Sequence, residues 1–375
     1  MASCTRGGGM EHYRPAPGTP IHELDTPCLL VDLDAMEHNF RLIAETYRDT
    51  VCKMRTHVKN LKSPILAHMQ IRAGGTVGGV CAAKVAEAEV MVEGGIADVL
   101  IANQVATRDK MLRLCTLAKR ADMKVGIDNA QNLRMLSDVA HAQGVTLGVL
   151  IEVDTSMHRA GIRTVADGLA LAQLAASLPG ITFRGIMSHQ TLPGRPEKQT
   201  RLAEGRRFMQ MCLDLKEAIE TAGIPVDIVS TGETWTYDIA ADLPGVTEIQ
   251  GGTYALMSAA YDYMDDFHIA AKILGTVIST PSPGVAIGDV GVQALASPNG
   301  VLPVVEGMPG VTVEALHSAH IVLRTDGTTP LHVGDQFLLH SSQQDILVNR
   351  WDQYIAVRNG VVEAVWDIPA RGCHH

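Results

Sequence analysis

From Val51 onward the chain alternates short apolar, β-branched runs with segments whose apolar positions recur every three or four residues. The first pattern fits buried strands and the second amphipathic helices. Strands are predicted at 51-55, 76-80, 97-102, 123-128, 146-153, 181-188, 226-231 and 246-251. Helices fill the gaps, among them Ala82-Met91, Arg108-Lys119, Gln131-Ala142, Ala166-Ser177 and Leu202-Ala222. Eight strand-helix units over about 200 residues match a (β/α)8 barrel. A doubly wound open sheet shares the alternation, but no GxGxxG follows the first strand, so a dinucleotide fold lacks its phosphate turn.

The pattern differs at both ends. Residues 1-24 carry Gly-Gly-Gly and several prolines and are predicted to form a flexible arm. A strand follows at 27-32, and Asp34 is placed to cap a helix from Ala35 to Tyr47 with Met36, Phe40, Ile43 and Ala44 on one face. Past Phe267, residues 271-280, 285-292, 311-324, 335-341 and 352-366 alternate apolar and polar positions between turns such as Pro283-Gly284 and Asn359-Gly360. The second turn is a strong hairpin signal. The predicted organisation is therefore an arm at 1-24, a (β/α)8 barrel at 25-266 and a β-rich C-terminal domain at 267-375, which the 27-32 strand is a candidate to join.

Composition narrows the function classes. With 46% hydrophobic and 19% charged residues the chain is expected to bury a large core. A formal charge of -10 argues against a nucleic-acid partner. No apolar run approaches the roughly 20 residues of a membrane span, and the N-terminus lacks a signal-peptide core. The 7 cysteines are scattered without a CxxC pair, which points to reduced thiols and a cytoplasmic setting.

In a barrel, chemistry sits on the loops after the strand C-termini. The first of these loops holds Arg55-Thr56-His57-Val58-Lys59, with His57 and Lys59 expected on one side of the pleat. A lysine at a strand mouth can become a nucleophile when burial or cationic neighbours favour its neutral amine. It can equally be one solvated lysine beside Lys53 and Lys62. Opposite it, the seventh and eighth strands end in Ser230-Thr231-Gly232-Glu233-Thr234 and Gln250-Gly251-Gly252-Thr253-Tyr254. Two Gly/Thr turns on adjacent strands can cradle one phosphate through backbone N–H groups and hydroxyls. A phosphorylated aldehyde cofactor suits that arrangement.

These segments resemble a known family. The runs Thr26 to Asn39, Arg55 to Lys59, Lys84 to Glu89 and Gln250 to Tyr254 are similar to motifs of the D-threonine aldolase and D-serine dehydratase-like family. So are Asp154 with Arg159 and Gly161, and the tail from Asp352 to Gly372. The resemblance implies a pyridoxal-phosphate enzyme with an alanine-racemase type barrel. It implies that Lys59 holds pyridoxal 5'-phosphate, with His57 beside it, and that Arg159 meets the pyridine nitrogen. Thr231, Gly232, Gly252, Thr253 and Tyr254 would form the phosphate cup, and His189 would stand near the ring as a catalytic residue. Arg159 pairing with Asp154, and His189 as an ordinary strand-end residue, are the bland alternatives.

Two departures stand out. The family's metal pair, a histidine two residues before a cysteine or aspartate, aligns with Gln343 and Asp345, so an amide replaces the imidazole. Amide and carboxylate oxygens suit a weakly bound Mg2+ or Mn2+ better than zinc. Ser258 stands where many members have an acid. His317, His320 and His340 lie nearby in sequence without metal-ligand spacing.

The expected activity is retro-aldol cleavage of a β-hydroxy-D-amino acid into an amino acid such as glycine plus an aldehyde. Dehydration of a D-serine or 3-hydroxyaspartate type substrate, racemisation, and a non-catalytic pyridoxal-phosphate-binding protein are the alternatives. The only partners expected are a small-molecule amino acid and a second copy in a homodimer.

Overall fold

The computed structural model describes residues 13–375; half of the predicted arm lies outside them. The described part of the arm is held against the C-terminal sheet. Gly18 N–H donates to Val362 O at 2.8 Å, Ile21 N–H to Gly360 O at 3.0 Å, and Pro20 bridges Val361. Strand β1 (Cys28–Asp32) then leads into α1 (Leu33–Thr46). Its cap is Asp32 rather than Asp34: the Asp32 carboxylate accepts the Ala35 N–H at 3.1 Å.

The expected (β/α)8 barrel followed by a β-rich domain is the fold observed. Its strands are β2 (Lys53–His57), β3 (Thr76–Ala82), β4 (Asp98–Ile101), β5 (Asp122–Ile127), β6 (Leu147–Glu152), β7 (Ile181–Ser188), β8 (Ile228–Thr231) and β9 (Glu248–Ile249). All neighbours are parallel, and the ring closes where Lys53 pairs Glu248 and Met54 pairs Ile249. The outer helices are α2 (Pro64–Ala73), α3 (Val85–Glu93), α4 (Arg108–Leu117), α5 (Ala130–Ala142), α6 (Val165–Ser177), α7 (Lys198–Thr221) and the short α8 (Tyr237–Ala240). The ring strands were recognisable because their outward Val, Ile and Leu residues pack under these helices, giving continuous apolar runs.

Inside the barrel the side chains form layers. At the strand N-termini Arg55 forks onto Glu248 (2.6 and 2.8 Å) and reaches Asp98 at 2.8 Å, while Lys124 bonds Asp98 and Asp122 at 2.8 and 2.7 Å. Cys81, Leu100, Leu150, Met187 and Ile228 form an apolar layer. Polar groups return only at the C-terminal mouth. Arg55, which the sequence placed in the lysine motif, thus closes the far end of the barrel, and its pKa is raised by its two carboxylate partners against the effect of burial.

The second domain comprises β10 (Ala271–Ser282), β11 (Val285–Gly288), β12 (Val304–Glu306), β13 (Val311–Leu316), β14 (Ile321–Thr325), β15 (Gln336–His340), α9 (Gln344–Val348), β16 (Gln353–Arg358) and β17 (Val361–Asp367). Strand β1 lies inside this sheet, antiparallel to β10 and parallel to β16, with Leu30 opposite both Lys272 and Ile355. Leu29 and Val31 enter the main core, while Cys28 and Leu30 pack with Leu24, Leu274, Ile355 and Val362 on the other face. Both faces are covered, which explains an apolar run without alternation.

Three details refine the prediction. The 311-324 segment is a hairpin, β13 and β14, whose turn is closed by His317 N–H donating to His320 O at 2.8 Å, without glycine or proline to announce it. The 352-366 segment is split at Asn359-Gly360, both at positive φ (50° and 74°), as its hairpin signal predicts. Strand β12 and helix α9 are too short to leave a periodic pattern, and α9 carries part of the site.

Candidate active site

Strand β2 ends at His57, and the chain then tightens into a 3-10 turn, Val58–Asn60. Lys59 therefore sits on that turn rather than on the pleat with His57. The His57 ring Nδ1 accepts the Lys59 N–H at 3.4 Å, which ties the two together. The neighbouring lysines are committed elsewhere. Lys62 is buried on Glu87 at 2.5 Å, and the Lys53 ammonium bonds the carbonyls of Tyr47 and Arg48. Glu87 also accepts the N–H groups of Ala83 and Lys84, so the Lys84-to-Glu89 segment clamps a helix start and lies outside the site.

Lys59 faces a chamber of about 340 Å³ at the barrel mouth, shared with His57, His189, Gln250, Gly252 and Thr253. The opposite wall comes from the second domain: Ser342, Gln343, Gln344 and Asp345. A smaller cavity of about 150 Å³ continues past Lys59 and His189 to Arg159 and Asn103. Arg159 is carried by the loop after β6. Asp154 shapes that loop by accepting the Met157 and His158 N–H groups at 2.9 and 3.1 Å and pairing with Arg163 at 3.2 Å. Gly161, at φ +108°, donates to Asp128 at 2.8 Å; a Cβ there would lie 2.6 Å from the Asp154 nitrogen. The partner of Arg159 is Glu152, 3.9 Å away, and not Asp154. Burial raises the Glu152 carboxyl, against the pull of its Gln104 hydrogen bond and of Arg159.

Burial sets the protonation of the histidines. His189 is lowered to about 3 by desolvation, with Lys59 and Arg159 adding repulsion. His57 is pushed well below its ordinary value by burial first, then by Lys59 and His189. Both imidazoles are neutral at physiological pH.

The predicted phosphate cup is only partly assembled. Gly252 and Thr253 line the chamber. Gly252 must be glycine, because a Cβ would lie 2.3 Å from Asn60 Oδ1 and 2.6 Å from His57 O. Thr231, Gly232 and Tyr254 do not line it. The Thr231 hydroxyl is buried among Ser188, Gln190 and Cys212, and Tyr254 Oη bonds Thr56 beneath the turn. Gly232, at φ +102°, shapes the turn from below. Chamber residues to which the sequence assigned no role include Glu233, Tyr261, Asn60 and Gln344. Glu233 was visible as an acid between Gly232 and Thr234; Tyr261 left no local signal. Ser258 lines the chamber, whereas His317 and His320 are exposed on the β13–β14 turn and His340 faces Glu306 at 3.3 Å.

The donor set fits pyridoxal phosphate: a primary amine, two neutral imidazoles, a guanidinium at the far end, and a turn that only glycine permits. It fits a metal less well. Gln343 and Asp345 share the chamber wall, but no group of three or more His, Cys, Asp and Glu side chains converges among the described residues.

A barrel of this topology, with a lysine at the mouth of its first strand and a β domain closing the site, defines an alanine-racemase-type enzyme. Residues 31–257 match the alanine racemase N-terminal domain and 270–357 the putative serine dehydratase domain. The chain belongs to this family, the D-threonine aldolase and D-serine dehydratase-like enzymes, which implies pyridoxal phosphate as cofactor. It is 34% identical to a 3-hydroxy-D-aspartate aldolase of Paracoccus denitrificans (95% of this chain, 94% of the relative). It is 33% identical to a D-threonine aldolase of Arthrobacter sp (95% of each). The crystal structure of D-threonine aldolase from Filomicrobium marinum superposes with a TM-score of 0.92 at 32% identity, over 96% of this chain and 100% of that one. Among the described residues no helix is long and apolar enough to cross a membrane.

Proposed function

We propose that this enzyme cleaves the Cα–Cβ bond of a β-hydroxy-D-amino acid, releasing glycine or a related amino acid and an aldehyde. The observation that carries the reading is the chamber in which Lys59 and His189 face the Gln343–Asp345 wall of the second domain. Its full-length relatives named as aldolases support it.

Pyridoxal phosphate, when bound, supplies the electron sink for the charge left on Cα. Lys59 would hold it through its amine. Arg159, at the end of the adjoining cavity, would meet the pyridine nitrogen, and because a guanidinium keeps its proton that nitrogen would stay unprotonated. Gly252 and Thr253 would receive the phosphate. His189, neutral and beside Lys59, accepts the β-hydroxyl proton at a ring nitrogen while the C–O bond becomes the aldehyde carbonyl. Lys59 Nζ would return a proton to Cα, and glycine leaves.

Gln343 and Asp345 offer an amide carbonyl and a carboxylate, a set that suits a hard divalent cation held weakly. Dehydration is the second reading, and it leans harder on a Lewis acid because hydroxide leaves poorly. The amide at Gln343 favours cleavage over dehydration. A role limited to cofactor binding would leave the second domain's contribution to the chamber without a purpose. Val301, Leu302 and Val304 stand exposed at the mouth beside an annex of the chamber, which supports a homodimer covering this edge. Light scattering measures the dimer directly.

The deciding experiment is a panel of β-hydroxy-D-amino acids, with and without chelator, assayed for aldehyde, glycine and keto acid. Aldehyde with glycine is expected. Keto acid without aldehyde would establish dehydration, and no turnover on any member would leave a binding protein.

A further inference from the structure

The turn after β8 carries an acid into the chamber that holds the proposed phosphate seat. Glu233 is 8% exposed and lines the chamber together with Gly252 and Thr253. It also lines the annex, about 380 Å³, with Trp235, Tyr261 and Tyr263. Tyr261 Oη donates to Glu233 Oε1 at 3.4 Å. Among the described residues Glu233 makes no ion pair: Arg195, the cation of the annex, is taken by Asp262 at 2.6 Å. The charged and titratable groups facing it are Lys59 from the turn after β2, Tyr261 and Tyr263 from the 259–263 segment, and Asp345 from α9. His57 and His189 share the chamber farther along its wall.

A buried carboxylate without a cation is unfavourable by itself. Beside a phosphate dianion it would meet a second negative charge in a poorly screened site. The neutral acid has the opposite character, because its O–H donates to a phosphate oxygen. Burial already pushes the Glu233 carboxyl up to about 7, against the opposing charge of Lys59. An arriving phosphate pushes it further in the same direction.

We propose that Glu233 is a cofactor-binding residue that holds the phosphate as a neutral acid, so that loading the enzyme takes up a proton at this side chain. The proposal rests on the reading that Gly252 and Thr253 receive the phosphate of pyridoxal phosphate. It assigns this chain a cofactor affinity that weakens as pH rises above neutrality, by up to tenfold per pH unit.

The test is loading of the apoenzyme with pyridoxal phosphate, and separately with pyridoxal, followed by absorbance from pH 6 to 9. The wild type and Glu233→Gln, an uncharged near-isostere, are compared. The wild-type dissociation constant for pyridoxal phosphate should rise at least tenfold across this range. Glu233→Gln should stay flat, and pyridoxal should show no difference between the two proteins. Parallel pH profiles for the two proteins, or the same divergence with pyridoxal, would overturn the proposal. Calorimetry of the wild type in two buffers of different ionisation enthalpy gives a reading without any variant. At pH 8, uptake should be greater for pyridoxal phosphate than for pyridoxal by up to one proton, and equal uptake overturns the proposal. Borohydride fixation on Lys59 separates the two levels. A wild type that fixes no pyridoxyl group at any pH defeats the cofactor reading and the proposal with it, while fixation with parallel profiles defeats the proposal alone.

Discussion

Replacing Arg55 with alanine should destabilise the barrel by several kcal/mol without touching the chamber. Arg55 is 1% exposed, and its guanidinium makes two bonds to Glu248 and two to Asp98. Its removal leaves Glu248 with no other cation in contact among the described residues, and Asp98 with Lys124 alone. Breaking one partner of a buried pair costs about 3–5 kcal/mol, because the remaining charge stays desolvated. Unfolding entropy of about 2.1 cal/mol/K per residue, over 375 residues, gives about 0.8 kcal/mol/K. The expected fall in Tm is therefore about 4–6 °C, read by scanning calorimetry. A second variant isolates the cause: Arg55→Met with Glu248→Gln removes both charges and should melt above Arg55→Met alone. An Arg55→Ala protein melting within about 1 °C of the wild type would refute the reasoning. So would a double variant no more stable than the single one.

Borohydride reduction and peptide mapping should place the pyridoxyl group on Lys59 and on neither Lys53 nor Lys62, and Lys59→Ala should abolish the label; label on Lys62 would displace the site. Gly252→Ala should lower pyridoxal-phosphate affinity at least tenfold while the protein stays folded, since the new Cβ would displace the turn that carries Lys59. Circular dichroism with a cofactor titration checks both halves. Gln343→His should raise affinity for added zinc, measured by calorimetry and elemental analysis; no gain would mean that positions 343 and 345 do not act together. His189, at about 3 when folded against an ordinary value of 6.5, makes stability fall as pH drops from 6.5 toward 3, because only the unfolded chain takes up the proton. Glu233 acts in reverse, losing its contribution as pH rises from 4.5 to about 7. His189→Asn should accordingly lose less Tm between pH 7 and 4.5 than the wild type; equal losses would contradict the assignment.

Much of this was legible because the barrel writes itself locally. Each ring strand buries its outward face under a helix, and the period switches where the chain turns. The C-terminal sheet was harder, since β1 meets β10 and β16 only across hundreds of residues, and the His317-to-His320 turn uses neither glycine nor proline. The lysine was readable from its place at a strand mouth. The role of Arg55 was not, because it lies two positions before His57 on the same strand face yet points to the opposite end of the barrel interior. Thr231, Gly232 and Tyr254 stand off the chamber for a related reason: a Gly/Thr turn fixes backbone shape, but which hydroxyls face the chamber depends on Ser188, Gln190 and Thr56, contributed from elsewhere in the chain. Glu233 and Gln344 could be seen as residues but not as neighbours of Lys59.

The place of β1 constrains how this protein can be made. The ribosome delivers that strand first, yet its two hydrogen-bonding neighbours, around Lys272 and Ile355, emerge some 240 and 325 residues later. At about 5–20 residues per second the nascent segment waits roughly 12 to 50 seconds for the first of them. During that interval an apolar strand with two open edges is a template for other chains. A gene cut at the apparent domain boundary would make the wait permanent: the barrel would carry an orphan strand, and the sheet would lack its centre. The two halves are therefore one unit of expression, and fragments should be recovered together or as aggregate.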